Sequence, residues 1–473
     1  MAVDQVVSHL KSTESDAVQR LADWLRIPSV STDPAFAEQT RAAGQWVVDQ
    51  LADIGIDASL RETGTGKKRG HPIVWARHEA GKDLPHVLFY GHYDVQPPDP
   101  LDLWESPPFD PVIQPATPGG PDERIVARGA VDDKGQVATF LEALRAWKKA
   151  EGRIPVNLTI LIEGEEESGS VNLEAFLRDN AADFKGCDFC LISDTGMLGR
   201  GKPAITYGVR GLVYTEVKLH AADQDLHSGL WGGRAPNPIN ELTKVLAQLW
   251  DADRRVTIPG FYDNVRDLAP QEREEWANLG IDANAALKGI GLGPAANIGE
   301  KGYTSTEREW ARPTCDINGI YGGYMGAGAK TVIPSYAGAK VSFRLVADQD
   351  PKRITKLFRS WLDERTPPGC RWEFHDHSGG PPATARIDSP YLQAAARALE
   401  SAGKRKPALI KSGGSIPVVG LIQSILGIET VLMGFGLEDD RVHSPNEKFE
   451  LPCFRLGAAA HAHLLDELSR LKD

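Results

Sequence analysis

Metal-binding side chains recur at the ends of apolar runs in this sequence. HVLFY at 86–90 is followed by Gly91-His92-Tyr93-Asp94, and NLTILI at 157–162 by Glu163-Gly164-Glu165-Glu166-Glu167. FCLIS at 189–193 runs into Asp194, and ETVLMGF at 429–435 leads through a loop to His443. A further acidic pair, Asp132-Asp133, stands in RGAVDDKG just before a helical stretch. Singly, each has an ordinary reading: a histidine at a strand end is usually a satisfied polar group, and a glutamate triplet is usually a solvated face. Together they say more. Burying several carboxylates in one crevice is costly unless cations neutralise them, and mixed His/Asp/Glu ligation suits zinc or manganese. Two histidines and three carboxylates exceed the needs of one tetrahedral zinc, so two ions sharing a bridging carboxylate is the economical arrangement. Such a centre activates water for hydrolysis. The three adjacent glutamates leave several assignments of ligand and base open.

Stepping from these residues to what must carry them, the first 200 residues alternate helical periodicity with short continuous apolar runs. Helical spacing covers 6–25 and 40–54, and the four runs above suit strands buried on both faces. Strands alternating with helices imply an α/β fold, a mostly parallel sheet with helices on both faces, whose ligands bind beyond the carboxyl ends of the strands. From 211 to 386 the texture changes. Strand-like alternation occurs at 213–220 (VYTEVKLH) and 339–346 (AKVSFRLV), each followed by a helical segment, whereas 251–312 is charged and interrupted by Gly and Pro. We therefore expect residues 1–210 and 387–473 to form one domain and 211–386 an inserted α+β domain. A helix, the strand at Glu429 and a closing helix over 454–471 complete the first.

A chain of 473 residues exceeds the usual reach of one hydrophobic core, consistent with two domains. Its net charge of -12 opposes binding to nucleic acid. The N-terminus lacks a signal-peptide pattern and no window approaches eighteen apolar residues, so we expect a cytoplasmic protein without a membrane partner. Five scattered cysteines argue against a disulfide framework, and the lone Cys187-x-x-Cys190 lacks the second pair of a structural zinc site. Gly326-Ala-Gly-Ala-Lys-Thr331 imitates a phosphate loop but lacks its glycine spacing. His461 and His463 lie two apart on a helix, cannot chelate together, and read as packing residues. No GxSxG elbow of a serine hydrolase is found.

Seven ordered blocks carry a resemblance: GHYDVQP, RGAVDDKG, EGEEESGS, ISD before ITYGVRG, DLHSGLWGG, GGSIPV and VHSPNE. In order and spacing they resemble the cytosolic nonspecific dipeptidase and carnosinase branch of the dinuclear metallopeptidases, whose wider family includes acylamino-acid deacylases and succinyl-diaminopimelate desuccinylase. The resemblance spans nearly the whole chain. It implies a phosphorylase/hydrolase-like metallopeptidase domain with an inserted lid and dimerisation domain. It further implies two divalent ions per subunit, Zn2+ or Mn2+ with Co2+ as a further candidate. His92 and Asp194 would hold one, Glu167 and His443 the other, and Asp132 would bridge, with a cis peptide after it. Asp94 would orient His92, and Glu166 would be the general base. His227, acting from the partner subunit of a homodimer, would polarise the scissile carbonyl. Arg344, Ser415 and Gly414 would line the pocket for the carboxylate of a small peptide, with His377 a further contact. This chain has Glu165 where relatives commonly differ, and Lys411-Ser412 where Arg-Glu is familiar. The implied activity is hydrolysis of dipeptides; deacylation of N-acyl amino acids on the same scaffold is the alternative, and a non-catalytic binding homologue a remote third.

Overall fold

The computed structural model describes residues 2–66, 69–117, 120 and 122–471. The chain forms two compact units, residues 1–207 with 385–410 and 421–473, and residues 208–384 with 411–420. The segment 411–420, which the sequence reading placed in the first domain, groups with the second.

At the centre of the first unit are four parallel strands in the order Asn157–Glu163, His86–His92, Phe189–Ile192 and Glu429–Leu432. They are the four apolar runs of the sequence. Their residues are almost wholly buried, which is why they read as continuous rather than alternating. Ala58–Arg61 and Ile73–His78 extend one side and Ala204–Val209 the other, all antiparallel. The helical stretch at 6–25 is two helices, Ala2–Ser12 and Glu14–Leu25, broken at Thr13, whose hydroxyl donates to the carbonyl of His9. Lys134–Glu151 is buried along most of its length and packs against the closing helix Leu451–Leu468. No helix among the described residues is long and apolar enough to cross a membrane.

His461 on that closing helix is a core residue. Its ring nitrogens meet Thr139 Oγ1 at 3.1 Å and Ser193 Oγ at 3.0 Å, and its edges meet Phe89, Phe140 and Phe435. His463 is only partly buried.

The second unit is built on an antiparallel sheet ordered Thr314–Gly322, Tyr336–Leu345, Gly211–His220, Arg371–Gly380. Burial alternates strictly along Gly211–His220. Its inward residues Val213, Val217 and Leu219 join Phe343, Phe358 and Trp361 in a core that also takes Leu242 and Leu246 from the helix Pro238–Leu246. Two of the four strands, Thr314–Gly322 and Arg371–Gly380, escaped the sequence reading because polar and glycine residues interrupt their alternation and each carries a register shift. Within 251–312 the helices Pro270–Asn278, Ala283–Gly289 and Ser305–Ala311 form. A buried Arg312–Glu300 pair (2.7 and 2.8 Å) links the residue that caps Ser305–Ala311 to the loop before that helix.

Burial pushes His461 down to about 3 from an ordinary 6.5. Between those values the unfolded chain binds a proton that the folded chain refuses, so this residue makes stability rise with pH by ~1.4 kcal/mol per unit across that window. Denaturation of wild type and His461→Gln at pH 6.5 and pH 5 tests it. The variant's deficit in stability should shrink at the lower pH by about 2 kcal/mol; a constant deficit would contradict a neutral, buried imidazole.

Candidate metal centre

The parallel strands end on one side of the sheet, and the first unit's ionisable loops gather there. His92 closes its strand fully buried; its Nε2 lies 3.1 Å from Asp132 Oδ1 and 3.8 Å from Asp194 Oδ2. On the other side of Asp132, His443 Nε2 lies 3.0 Å from Oδ2 and 3.2 Å from Glu167 Oε2. The ligand atoms of His92, Asp132 and Asp194 lie within 4.8 Å of one another, and so do those of Asp132, Glu167 and His443. Asp132 therefore belongs to two potential cation sites at once. The Asp132-Asp133 peptide is cis. Asp133 belongs to neither triad: its Oδ2 accepts from the His92 backbone N–H at 3.1 Å, and its buried Oδ1 has no hydrogen-bond partner among the described residues.

The donor set fits cations. Burial, and then the Asp132 carboxylate, raise Asp194 to about 7. Burial raises Glu166 to about 9; His92 acts against it, and the carboxylates of Asp194, Glu167 and Asp132 add to it. Hydrogen bonds to Asp132 and Glu167 push His443 up to about 10. Carboxyls driven toward protonation and imidazoles drawn toward the cationic form express the same excess of negative charge, which a divalent ion in each triad would balance.

The glutamate triplet is sorted by direction. Glu165 is buried and turned from the triads; both its oxygens accept from Asn172 Nδ2 (3.1 and 3.0 Å), and it lies so close to Gly70 that a Cβ there would stand 2.2 Å from Oε1. Glu167 faces His443 and accepts from Gln96 Nε2 at 2.8 Å. The Glu166 carboxylate makes no hydrogen bond among the described residues. Asp94 has a double task. Its Oδ1 lies 3.4 Å from His92 Nδ1, whereas its carboxylate also accepts the backbone N–H groups of Glu166 (3.3 Å) and Glu167 (3.1 Å).

A family model, peptidase family M20/M25/M40, matches residues 88–467. The chain belongs to this peptidase family. It is 33% identical over 467 residues to the Cys-Gly metallodipeptidase DUG1 of Candida albicans, covering 94% of each chain. To the human Beta-Ala-His dipeptidase it is 30% identical, covering 99% of this chain and 93% of the other. Among solved structures, it superposes on the di-peptidase Dug1p of Saccharomyces cerevisiae with a TM-score of 0.80 at 29% identity, covering 100% of this chain and 99% of that one. On the M20 family metallo-carboxypeptidase Sso-CP2 of Sulfolobus solfataricus the TM-score is 0.82 at 31% identity, covering 96% and 99%. This M20 peptidase is thus a peptide-bond hydrolase of the metallodipeptidase kind.

The remaining expected residues of the M20 peptidase lie in its second unit. Arg344 Nη1 donates to Ser415 Oγ at 2.7 Å, bringing those two together beside Gly414. His227 is exposed on the rim of the short helix Ser228–Trp231, its Nδ1 accepting from Gly229 N at 3.0 Å. His377 lies on the strand Arg371–Gly380, with Nε2 3.2 Å from Glu216 Oε2 and its ring beside Tyr214. It is engaged with its own sheet rather than with Arg344 or Ser415.

One residue escaped the sequence reading. Glu447, within the quoted VHSPNE block, is fully buried and accepts from the backbone N–H of Gly129 (2.9 Å), Val131 (3.0 Å) and Asp132 (3.1 Å) and from Arg128 Nη1 (2.8 Å). It holds the loop that aims Asp132, four residues after His443. Its spacing from His443 was the available signal. Glu447→Gln places an amide N–H₂ against backbone donors and leaves Arg128 unpaired. We expect metal affinity, read by titration with a chelating indicator, and kcat/KM each to fall by about 10–100-fold; wild-type values in a folded variant would refute the anchoring role.

Proposed function

We propose that this metallodipeptidase hydrolyses dipeptides through water activated at the two triads around Asp132, with Glu166 as general base. The shared carboxylate of Asp132, in reach of both His92 and His443, is the observation that carries the proposal. In this reading His92 and Asp194 would hold one divalent ion, Glu167 and His443 the other, with Asp132 shared by both. Zinc and manganese suit that mixed oxygen and nitrogen set, with cobalt a further candidate. When bound, the ions supply Lewis-acid polarisation and a water of lowered pKa. Glu166, whose carboxylate makes no hydrogen bond among the described residues, would take a proton from the attacking water and deliver it to the leaving amine. Asp94 fixes the backbone of Glu166 and Glu167 together, so that base and ligand keep a set separation. Arg344 and Ser415 hold the substrate's carboxylate; the guanidinium fork suits it. The named relatives are dipeptidases, which favours this substrate class over N-acyl amino acids.

We further propose the first unit (1–207, 385–410 and 421–473) as the catalytic domain and the second (208–384 with 411–420) as the lid and dimerisation domain, the M20 peptidase acting as a homodimer with His227 working in trans on the carbonyl oxygen. The second unit exposes Leu230, Trp231, Ile320, Tyr324, Met325 and Tyr336, apolar surface that a partner subunit would cover. Five free cysteines suit a reducing, cytoplasmic setting.

Elemental analysis of protein kept from chelators should approach two divalent ions per chain, and chelation should abolish activity until zinc, manganese or cobalt is restored. Glu166→Gln should keep both ions and lose at least about a hundredfold in kcat, the lower end of general-base contributions. Retention of most of kcat with two ions bound would send the search for the base elsewhere. For the dimer, Glu166→Ala and His227→Ala homodimers should both be nearly inactive. Mixed at equal concentrations they form about half hybrid dimers, each with one intact site, so about a quarter of wild-type activity should return if His227 acts in trans. No recovery, with subunit exchange verified by tagged chains, would refute the shared site.

A further inference from the structure

The charged stretch 251–312 folds against the segment that carries Ser415, within the second unit. Lys411 Nζ donates to Glu272 Oε1 at 2.7 Å and lies 5.1 Å from the Trp276 ring. Trp276 meets Trp310 edge-on at 5.2 Å, which seats the helix Ser305–Ala311 beside the same segment. From that helix Glu309 reaches Gly413: a Cβ built on Gly413 would stand 2.6 Å from Glu309 Cγ and 3.1 Å from its Oε1. Only a residue without a side chain admits the acidic chain so closely.

Around the same loop stand two guanidiniums. Arg210 donates from Nε to the Gly413 carbonyl at 2.8 Å and from its backbone N to the Gly414 carbonyl at 3.2 Å. Arg344 donates to Ser415 at 2.7 Å. Burial first, then the neighbouring Arg344, hold Arg210 down to about 10, while Glu309 and Asp316 act the other way. Glu309 is exposed and, among the described residues, forms no ion pair within 4.0 Å. A carboxylate not committed to a cation of its own acts on whatever side chain binds beside it.

We infer that Glu309, set against Gly413 by the 251–312 stretch, is a specificity-determining residue that makes the subsite for the dipeptide's C-terminal side chain favour cationic over acidic residues; this rests on the reading that Arg344 and Ser415 hold that residue's α-carboxylate. With substrate bound, the guanidiniums of Arg210 and Arg344 face the substrate's carboxylate together with Glu309 and Asp316. A further carboxylate from an aspartyl side chain finds no cation left to meet it, whereas a lysyl ammonium finds Glu309.

The test compares kcat/KM for Ala-Lys and Ala-Asp in wild type, Glu309→Gln, Glu274→Gln and Arg344→Ala, at low and high salt. Glu309→Gln should lower the Lys-to-Asp ratio by about fivefold at low salt, an effect of the size one partly solvated charge exerts. Much of that change should vanish at high salt. Glu274→Gln, an exposed charge on the helix Pro270–Asn278, should leave the ratio unchanged. If Glu309→Gln leaves the ratio unmoved while Arg344→Ala raises KM for both dipeptides, the inference about Glu309 is overturned and the carboxylate reading stands. If Arg344→Ala leaves KM unmoved, both fall.

Discussion

Glu447 sits where nothing but a carboxylate would serve. Three backbone N–H groups and one guanidinium converge on it, buried from solvent, and each would carry the full cost of an unmet donor if it were lost. Arg128 and Glu447 are among the most completely buried charged residues of the chain, and removing one partner of such a pair typically costs ~3–5 kcal/mol. What the pair secures is the direction of Asp132. Its two oxygens must point at two imidazoles on opposite sides, an arrangement that no helix or strand supplies. Burial pushes Glu447 up to about 7 and the Arg128 guanidinium acts against it, so the anchor is held by its hydrogen-bond geometry as much as by charge.

From that loop outward the site is assembled by ends of elements. His92 is the last residue of a buried strand, Glu166 and Glu167 follow another, Asp194 follows a third, and His443 stands on a loop with a backbone φ of 59°. Asp94 then ties the first two together through backbone donors. The rigid part is the sheet, and the loops inherit its precision only where a buried carboxylate fastens them. Glu165 shows the converse: its place in the triplet is dictated by Asn172 and the bare Cα of Gly70, which withdraw it from the centre.

Much of this was legible in the sequence, because the parallel strands are buried on both faces and announce themselves as unbroken apolar runs. The residues that follow them are the candidate ligands, gathered where the strands end. What could not be read has an equally local cause. Thr314–Gly322 and Arg371–Gly380, the second of which carries His377, hide their alternation behind glycines and register shifts. The choice among Glu165, Glu166 and Glu167 depends on which way three adjacent side chains turn, and contacts with Asn172 and Gln96, distant in sequence, decide that. Glu447 was hard to read as an anchor because three of its four partners are backbone N–H groups, which leave no mark in residue type. The segment 411–420 returned to the second unit through contacts with Arg210, Glu272 and Arg344 that no periodicity reveals.

The separation between the two halves of the Asp132 anchor has a consequence for how the protein is made. Asp132 and Glu447 are 315 residues apart, and the whole second unit is encoded between them. At ordinary rates of translation, the ribosome takes roughly 15–60 s to add that length. For most of that interval the growing chain owns His92, Asp132, Glu167 and Asp194 but neither His443 nor the clamp that aims Asp132. A nascent chain therefore emerges as an unarmed hydrolase, and its competence to bind two ions and cut arrives in one late event when the residues around 443–447 leave the exit tunnel.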